Sequence, residues 1–333
     1  RSGSPWIGIL IWIATRGKNM KRILLTTTSL VLAAGVAQAD VSFSGTAGVA
    51  LIDDNGARDV ATAATAETTD DTSYGSDMFF ESYYDFDVTA SAESDNGVSV
   101  SLGFDIGGGS KIDYNDDDKV EAQGATATDA DVTVGYAGWT LTVDNGGIDN
   151  LFDDDAGAQD VQLSGSIAGW SVAVTSDESA STSSYKVSGN VGGVALTLTG
   201  TDVKSVGGDA SKIAASYAMG NGLTVTASVQ DEDGVAEDEN KLGFSYAMDA
   251  ITVGYTAIKP GGVAGSDSFG DEWDFSVKYT AGALVASFAI DEADATTIIA
   301  DYALGGGASA FAAMHDKAGT ASDLTTVGLN FAF

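Results

Sequence analysis

Val98-Ser99-Val100-Ser101-Leu102-Gly103-Phe104-Asp105-Ile106 alternates an apolar side chain with a small or acidic one at every step. Side chains of an extended strand point to opposite faces with a period of two. The stretch therefore predicts a strand with one apolar face and one face of hydroxyls, glycine and carboxylate. The pattern recurs in both directions. Val41, Phe43, Val49 and Leu51 alternate with Ser42, Ser44 and Thr46, while Val327, Leu329, Phe331 and Phe333 alternate with Thr326, Gly328 and Asn330. Strands are expected at 41–52, 78–92, 98–107, 130–137, 139–144, 160–167, 169–176, 184–190, 194–201, 210–218, 223–231, 240–248, 251–258, 272–280, 283–291, 296–303, 308–315 and 323–333, a count of 18. Most have the length a tilted strand needs to cross hydrocarbon.

Connections alternate as well. Tiny turns (Ala137-Gly138, Ala168-Gly169, Gly192-Gly193, Gly220-Asn221-Gly222, Asp249-Ala250, Ala281-Gly282, Gly305-Gly306-Gly307) face longer acidic segments at 53–77, 108–129, 145–159, 177–183, 202–209, 232–239, 259–271 and 316–322. This describes an up-and-down antiparallel meander. An open sheet of that size would leave two unpaired edges, and closure into a barrel removes them. With the apolar face repeated on every strand and the other face made of Ser, Thr, Gly and Asp, apolar side chains point outward. Only a lipid surround satisfies that arrangement. The fold expected is an all-β transmembrane barrel. Tyr136, Tyr217, Tyr246, Tyr279 and Tyr302 close the strands that enter tiny turns, and Trp139 and Trp170 follow two of those turns. Amphipathic rings at one height predict a membrane-interface girdle.

Composition narrows the function. Of 333 residues none is Cys and one is His, and 48 Asp+Glu against 15 Lys+Arg give a formal charge of −33. That charge excludes binding to nucleic-acid phosphates. Lack of Cys excludes disulfides, thiol nucleophiles and thiolate metal sites. His315, at the end of its strand, reads as a rim histidine, because no G-x-S-x-G elbow in a strand–turn–helix context accompanies it. No enzymatic activity is expected.

Residues 20–39, MKRILLTTTSLVLAAGVAQA, read as a signal peptide: Lys21 and Arg22, an apolar run from Ile23 to Val36, and the cleavage triplet Ala37-Gln38-Ala39. Residues 1–19 are expected to be an upstream extension outside the native protein, leaving 40–333 as the barrel. The first 39 residues hold Arg1, Arg16, Lys18, Lys21 and Arg22 and no acid, so the remaining chain is more acidic still.

With its signal peptide, a first strand V-S-F-S-G-T-A-G-V-A-L at 41–51 and a last strand V-G-L-N-F-A-F ending on Phe333, the chain resembles the Gram-negative general porins. The resemblance implies an outer-membrane homotrimer that passes small hydrophilic solutes, with 16 strands and a third loop folded into the lumen. It also makes Phe331 and Phe333 the signal read by the barrel-assembly machinery. That family sets Arg on the first strands opposite acids on the third loop. Here the inward positions of 78–92 and 98–107 carry Glu81, Asp85, Asp87 and Asp105, and Arg58 is the only Arg after residue 39. The basic half of the constriction is therefore expected to be missing.

The third long loop contributes Asp144, Asp149, Asp153, Asp154 and Asp155. Folded inward, it would join the strand carboxylates in a ring that favours cations. Left outside, its acids would only be solvated, and both placements stand open. Asp113-Tyr114-Asn115-Asp116-Asp117 opens like a calcium loop, but Asp118 and Gly124 stand where Gly and Glu are needed. Weak divalent-cation binding through Asp113, Asn115 and Asp117 is the remaining metal expectation; no other cofactor is expected. The second functional reading is a secreted or surface acidic calcium-binding β-protein.

Overall fold

The computed structural model describes residues 36–53, 78–112, 120–122, 130–152, 159–177, 182–203, 208–262, 268–316 and 323–333. In chain order the strands are β1 (Val36–Asp53), β2 (Phe79–Ser94), β3 (Ser99–Ile112), β4 (Val120–Ala122), β5 (Asp131–Tyr136), β6 (Trp139–Ile148), β7 (Gln159–Ile167), β8 (Trp170–Asp177), β9 (Thr182–Val191) and β10 (Val194–Val203). They continue with β11 (Ala210–Ala218), β12 (Leu223–Glu232), β13 (Glu239–Met248), β14 (Ile251–Lys259), β15 (Glu272–Ala281), β16 (Leu284–Asp291), β17 (Thr296–Gly305), β18 (Ala308–Asp316) and β19 (Leu324–Ala332).

Consecutive barrel strands pair antiparallel, and β19 returns to β1, so the sheet closes with 18 strands. The short β4 stands apart, pairing only with Ser110–Ile112 of β3, while β3 passes directly to β5 in the wall. The count of 18 read from the residues therefore holds, and the 16 implied by resemblance is corrected. Each wall strand is paired along both edges, so none is loop structure. β1 starts at Val36, earlier than residue 41, because Ala39 pairs with Ala92. Cleavage after Ala39 would leave Asp40 and Ser91 as the first pair of that ladder.

The tight turns explain the registers. Ala137 and Gly138 have φ of 52° and 82°, and Ala168 and Gly169 have 52° and 84°. Two successive positive φ angles make the hairpin turn whose twist matches the flanking strands. One connection at the opposite end is also short. Between β16 and β17, Asp291 Oδ1 accepts the backbone N–H groups of Ala293 and Ala295, both at 2.9 Å.

Register sorts the side chains into alternate rows. Phe43, Val88 and Phe104 share one row; the adjacent row holds Ser44, Asp87 and Asp105. Exposure identifies the outside. Phe43 is 64% exposed and Ile213 60%, whereas Thr175 is fully buried and Thr326 is 1% exposed. A water-soluble protein reverses these classes; here lipid solvates the apolar rows. The seam follows the same logic. Gly45 and Phe333 exchange backbone hydrogen bonds of 3.0 and 3.1 Å, leaving no free edge between the first and last strands.

The inner face departs from the uniform polar surface expected. Ala50, Ile52, Phe311, Ala313 and Leu324 form a buried inner cluster, with Phe79 and Ile299 packed against it. These residues share the inner rows of β1, β2, β17, β18 and β19. Alternation specifies which face a residue takes; it does not require that the inner face be polar at every position.

Tyr136, Tyr217, Tyr246, Tyr279 and Tyr302 lie on outer rows, opposite Trp139, Val194, Leu223, Ile251 and Leu284 respectively. Each partner stands at or next to a tight turn, so the rings occupy one end of the barrel. Trp170 shares this level through its pairing with Ile167. Trp139 lies over Gly165 and Trp170 over Gly189: a β-carbon at either glycine would come within 2.5 Å of the indole. Gly165→Val is expected to displace Trp139 and destabilise the barrel by about 1–3 kcal/mol. A lowered guanidinium midpoint for the detergent-solubilised protein would show it.

Candidate functional site

β2, β3, β5 and β6 are successive strands of the wall and carry the densest acidic arc. Glu81, Asp85 and Asp87 occupy inner rows of β2, and Asp105 pairs directly with Asp87. Asp144 follows Val143 on β6, which pairs with Val132, so it takes an inner position beside Asp131 of β5. Asp131 itself pairs with Gly103 on the inner row of β3. Ser44 donates a 3.2 Å hydrogen bond to Asp87 Oδ2, holding one carboxylate against the wall. Asp131 was absent from the residues singled out above. Its signal is legible in Asp131-Val132-Thr133-Val134, where alternation puts the Asp with the Thr and opposite the valines.

Beyond β6 the chain crosses to the inner side of a different part of the wall. Asn150 Nδ2 donates to Thr201 Oγ1 at 3.3 Å, and the Leu151 N–H donates to Ser184 Oγ at 2.9 Å. Ser184 and Thr201 are partners on the inner row of β9 and β10, and Ser184 is also hydrogen-bonded to Thr175 of β8. Asp149–Phe152 thus rest against the inner wall, with Asp149 exposed toward the interior space. Asp153, Asp154 and Asp155 lie outside the described residues.

A basic arc exists after all. Lys186 (β9), Lys212 (β11), Lys241 (β13) and Lys278 (β15) all fall on inner rows. Lys186, Thr199 and Lys212 form one row across three strands. Going round the ring, these lysines occupy the arc beyond the acidic strands. The expectation of a missing basic half is corrected on this point: it considered arginine and the first strands only, whereas lysines on later strands carry the charge. Lys241 pairs with Glu239 at 3.2 Å, and on the outer face Lys259 pairs with Glu237. Glu239, Asp274, Asp291 and Asp301 also fall on inner rows, so the inner surface keeps an acidic excess.

His315 stands at the loop end of β18, one residue from its last, and is buried there. It is 4% exposed, points inward beside Leu324 and has Nδ1 3.2 Å from Thr297 Oγ1. No group of three or more His, Asp or Glu converges as a metal site among the described residues. Asp113, Asn115 and Asp117 lie outside them. Phe331 and Phe333 face outward beside the seam, with the Phe333 ring over Gly45.

The sequence pattern of the Gram-negative porin family matches residues 26–322. The chain belongs to the Gram-negative porins. Among solved structures, a triple mutant of the Rhodopseudomonas blastica porin superposes with a TM-score of 0.53 at 18% identity, covering 88% of this chain and 100% of that one. Two other mutants of that porin give TM-scores of 0.52 and 0.53 at the same identity and coverage. No curated protein matches. As a Gram-negative porin with a closed lipid-facing barrel, the protein is an outer-membrane diffusion channel. The rows of hydroxyls, carboxylates and lysines are its inner surface.

The position of the inner segment has a direct test, since the chain has no native Cys. Asp149→Cys, treated with a charged methanethiosulfonate during single-channel recording, is expected to show a stepwise change in open current. An unaltered current after quantitative labelling would put this segment outside the conduction path.

Proposed function

We propose that this porin passes small hydrophilic solutes and ions with a preference for cations, as an outer-membrane homotrimer. The observation that carries the preference is the arc of Glu81, Asp85, Asp87, Asp105, Asp131 and Asp144 on inner rows of consecutive strands. A monovalent cation about 7 Å from one carboxylate in water gains about 0.6 kcal/mol, close to RT. Each carboxylate is therefore a weak attractor, but several acting on the same path raise the local cation concentration and repel anions. The lysine arc opposes this only in part, because Glu239 and Asp274 share its strands β13 and β15 and Asp291 and Asp301 follow on β16 and β17. Acids on one arc and lysines on another also orient a dipolar solute as it passes.

No covalent step is needed. Solutes are sorted by size and by this field, and a hydrated lumen spares them the desolvation cost of crossing hydrocarbon. The trimer reading rests on the general-porin resemblance together with the outward apolar rows, which any partner subunit would meet.

Reversal potentials across a planar bilayer in a potassium chloride gradient test the preference. Native protein is expected to favour potassium, and a chloride preference would overturn the proposal. The paired variant Asp87→Asn with Asp105→Asn is expected to lower the cation-to-anion permeability ratio several-fold, following the energy above. Because the Debye length shrinks from about 30 Å at 0.01 M to about 3 Å at 1 M salt, the preference is expected to weaken as the mean salt concentration rises. Selectivity that ignores ionic strength would point to a steric cause.

A further inference from the structure

We propose that the recess between Asp149–Phe152 and the β9–β11 wall is a binding station for zwitterionic, amino-acid-like solutes. This rests on the channel reading above and adds a substrate class to it. The recess has a volume of about 320 Å³, with Lys186, Thr199 and Lys212 on the wall side and Asp149, Leu151 and Phe152 on the segment side. At about 30 Å³ per water molecule that is room for about ten waters, enough for a single amino acid that keeps part of its hydration.

Two features of the recess suit a ligand better than a passive lining. First, Lys186 and Lys212 have no ion-pair partner among the described residues, whereas Lys241 and Lys259 are each held by a glutamate. They flank Thr199 in one row, two ammonium groups and a hydroxyl on one surface. That surface suits a carboxylate. Second, the facing segment is fixed by the Leu151 N–H bond to Ser184 and the Asn150 bond to Thr201, so the recess is formed before a solute arrives. Asp149 supplies the opposite charge for an α-ammonium, and Leu151 with Phe152 supplies apolar surface for a side chain. A simple organic cation meets two ammonium groups there, and a simple carboxylate meets Asp149. A molecule with both charges satisfies both sides.

Block of the potassium current through the reconstituted native channel by L-phenylalanine, phenethylammonium and 3-phenylpropionate tests this without any variant. Saturable block by L-phenylalanine is expected at about tenfold lower concentration than by either single-charge analogue, the loss anticipated for one charge-assisted hydrogen bond. Equal or unsaturable block by all three would overturn the station. A protein that inserts but carries no current at all would instead defeat the channel reading. In the variant Lys186→Gln with Lys212→Gln, block measured against that variant's own open current is expected to weaken about tenfold. Asp149→Asn is expected to let 3-phenylpropionate block as well as L-phenylalanine. Variants that block like the native channel would refute the assignment of these residues.

Discussion

A backbone in hydrocarbon has no water to hydrogen-bond, so every N–H and C=O group must find a partner within the protein. For this chain the requirement comes to rest on one seam. The pairing of β1 with β19, from Asp53 and Thr325 to the reciprocal bonds of Gly45 and Phe333, turns a long open meander into a closed wall. Without it two strands would present unsatisfied edges to lipid, and outward rows such as Val49 and Leu329 would flank a gap instead of a continuous apolar surface. Gly45 suits the site because the Phe333 ring lies where a side chain would stand; a β-carbon there would also fall 2.5 Å from the Asp85 carbonyl oxygen.

Closure also produces the inner surface. Once the apolar rows are committed to lipid, the remaining rows must face one another, so acids and lysines far apart in sequence share a lumen. Hydration makes this tolerable: carboxylates such as Asp87 and Asp105 can sit opposite each other on neighbouring strands because water and counterions screen them. Where the inner face is dry, its chemistry changes. The cluster around Ile52, Phe311 and Leu324 is packed like an ordinary protein core, and His315 and Thr326 are buried beside it. The inner wall thus has a dry apolar sector as well as charged ones.

The same division governs what could be read from the residues alone. Strand number and the identity of the outward face were legible because each strand carries its own alternation, as in Val98–Ile106, and because tight turns such as Ala137-Gly138 mark where the chain reverses. The inward positions of Glu81, Asp85, Asp87 and Asp105 follow from parity alone. Asp131 and the inward lysines obey that parity too, but parity gives only the face of a charge and not which other charges share its part of the lumen. The inner apolar cluster was less accessible, since Ile52, Ile299 and Phe311 come from strands distant in sequence and none departs visibly from a strand pattern.

Local alternation therefore determined the barrel class, its 18 strands, its lipid-facing rows and the ring of tyrosines at the tight-turn end, because a period of two acts within each strand. The tertiary structure decided which strands share the lumen, that lysines stand across from the acidic arc, and that Asp149–Phe152 rest on Ser184 and Thr201. Those relations depend on the order in which the strands close and on contacts between segments far apart along the chain, which no local pattern specifies.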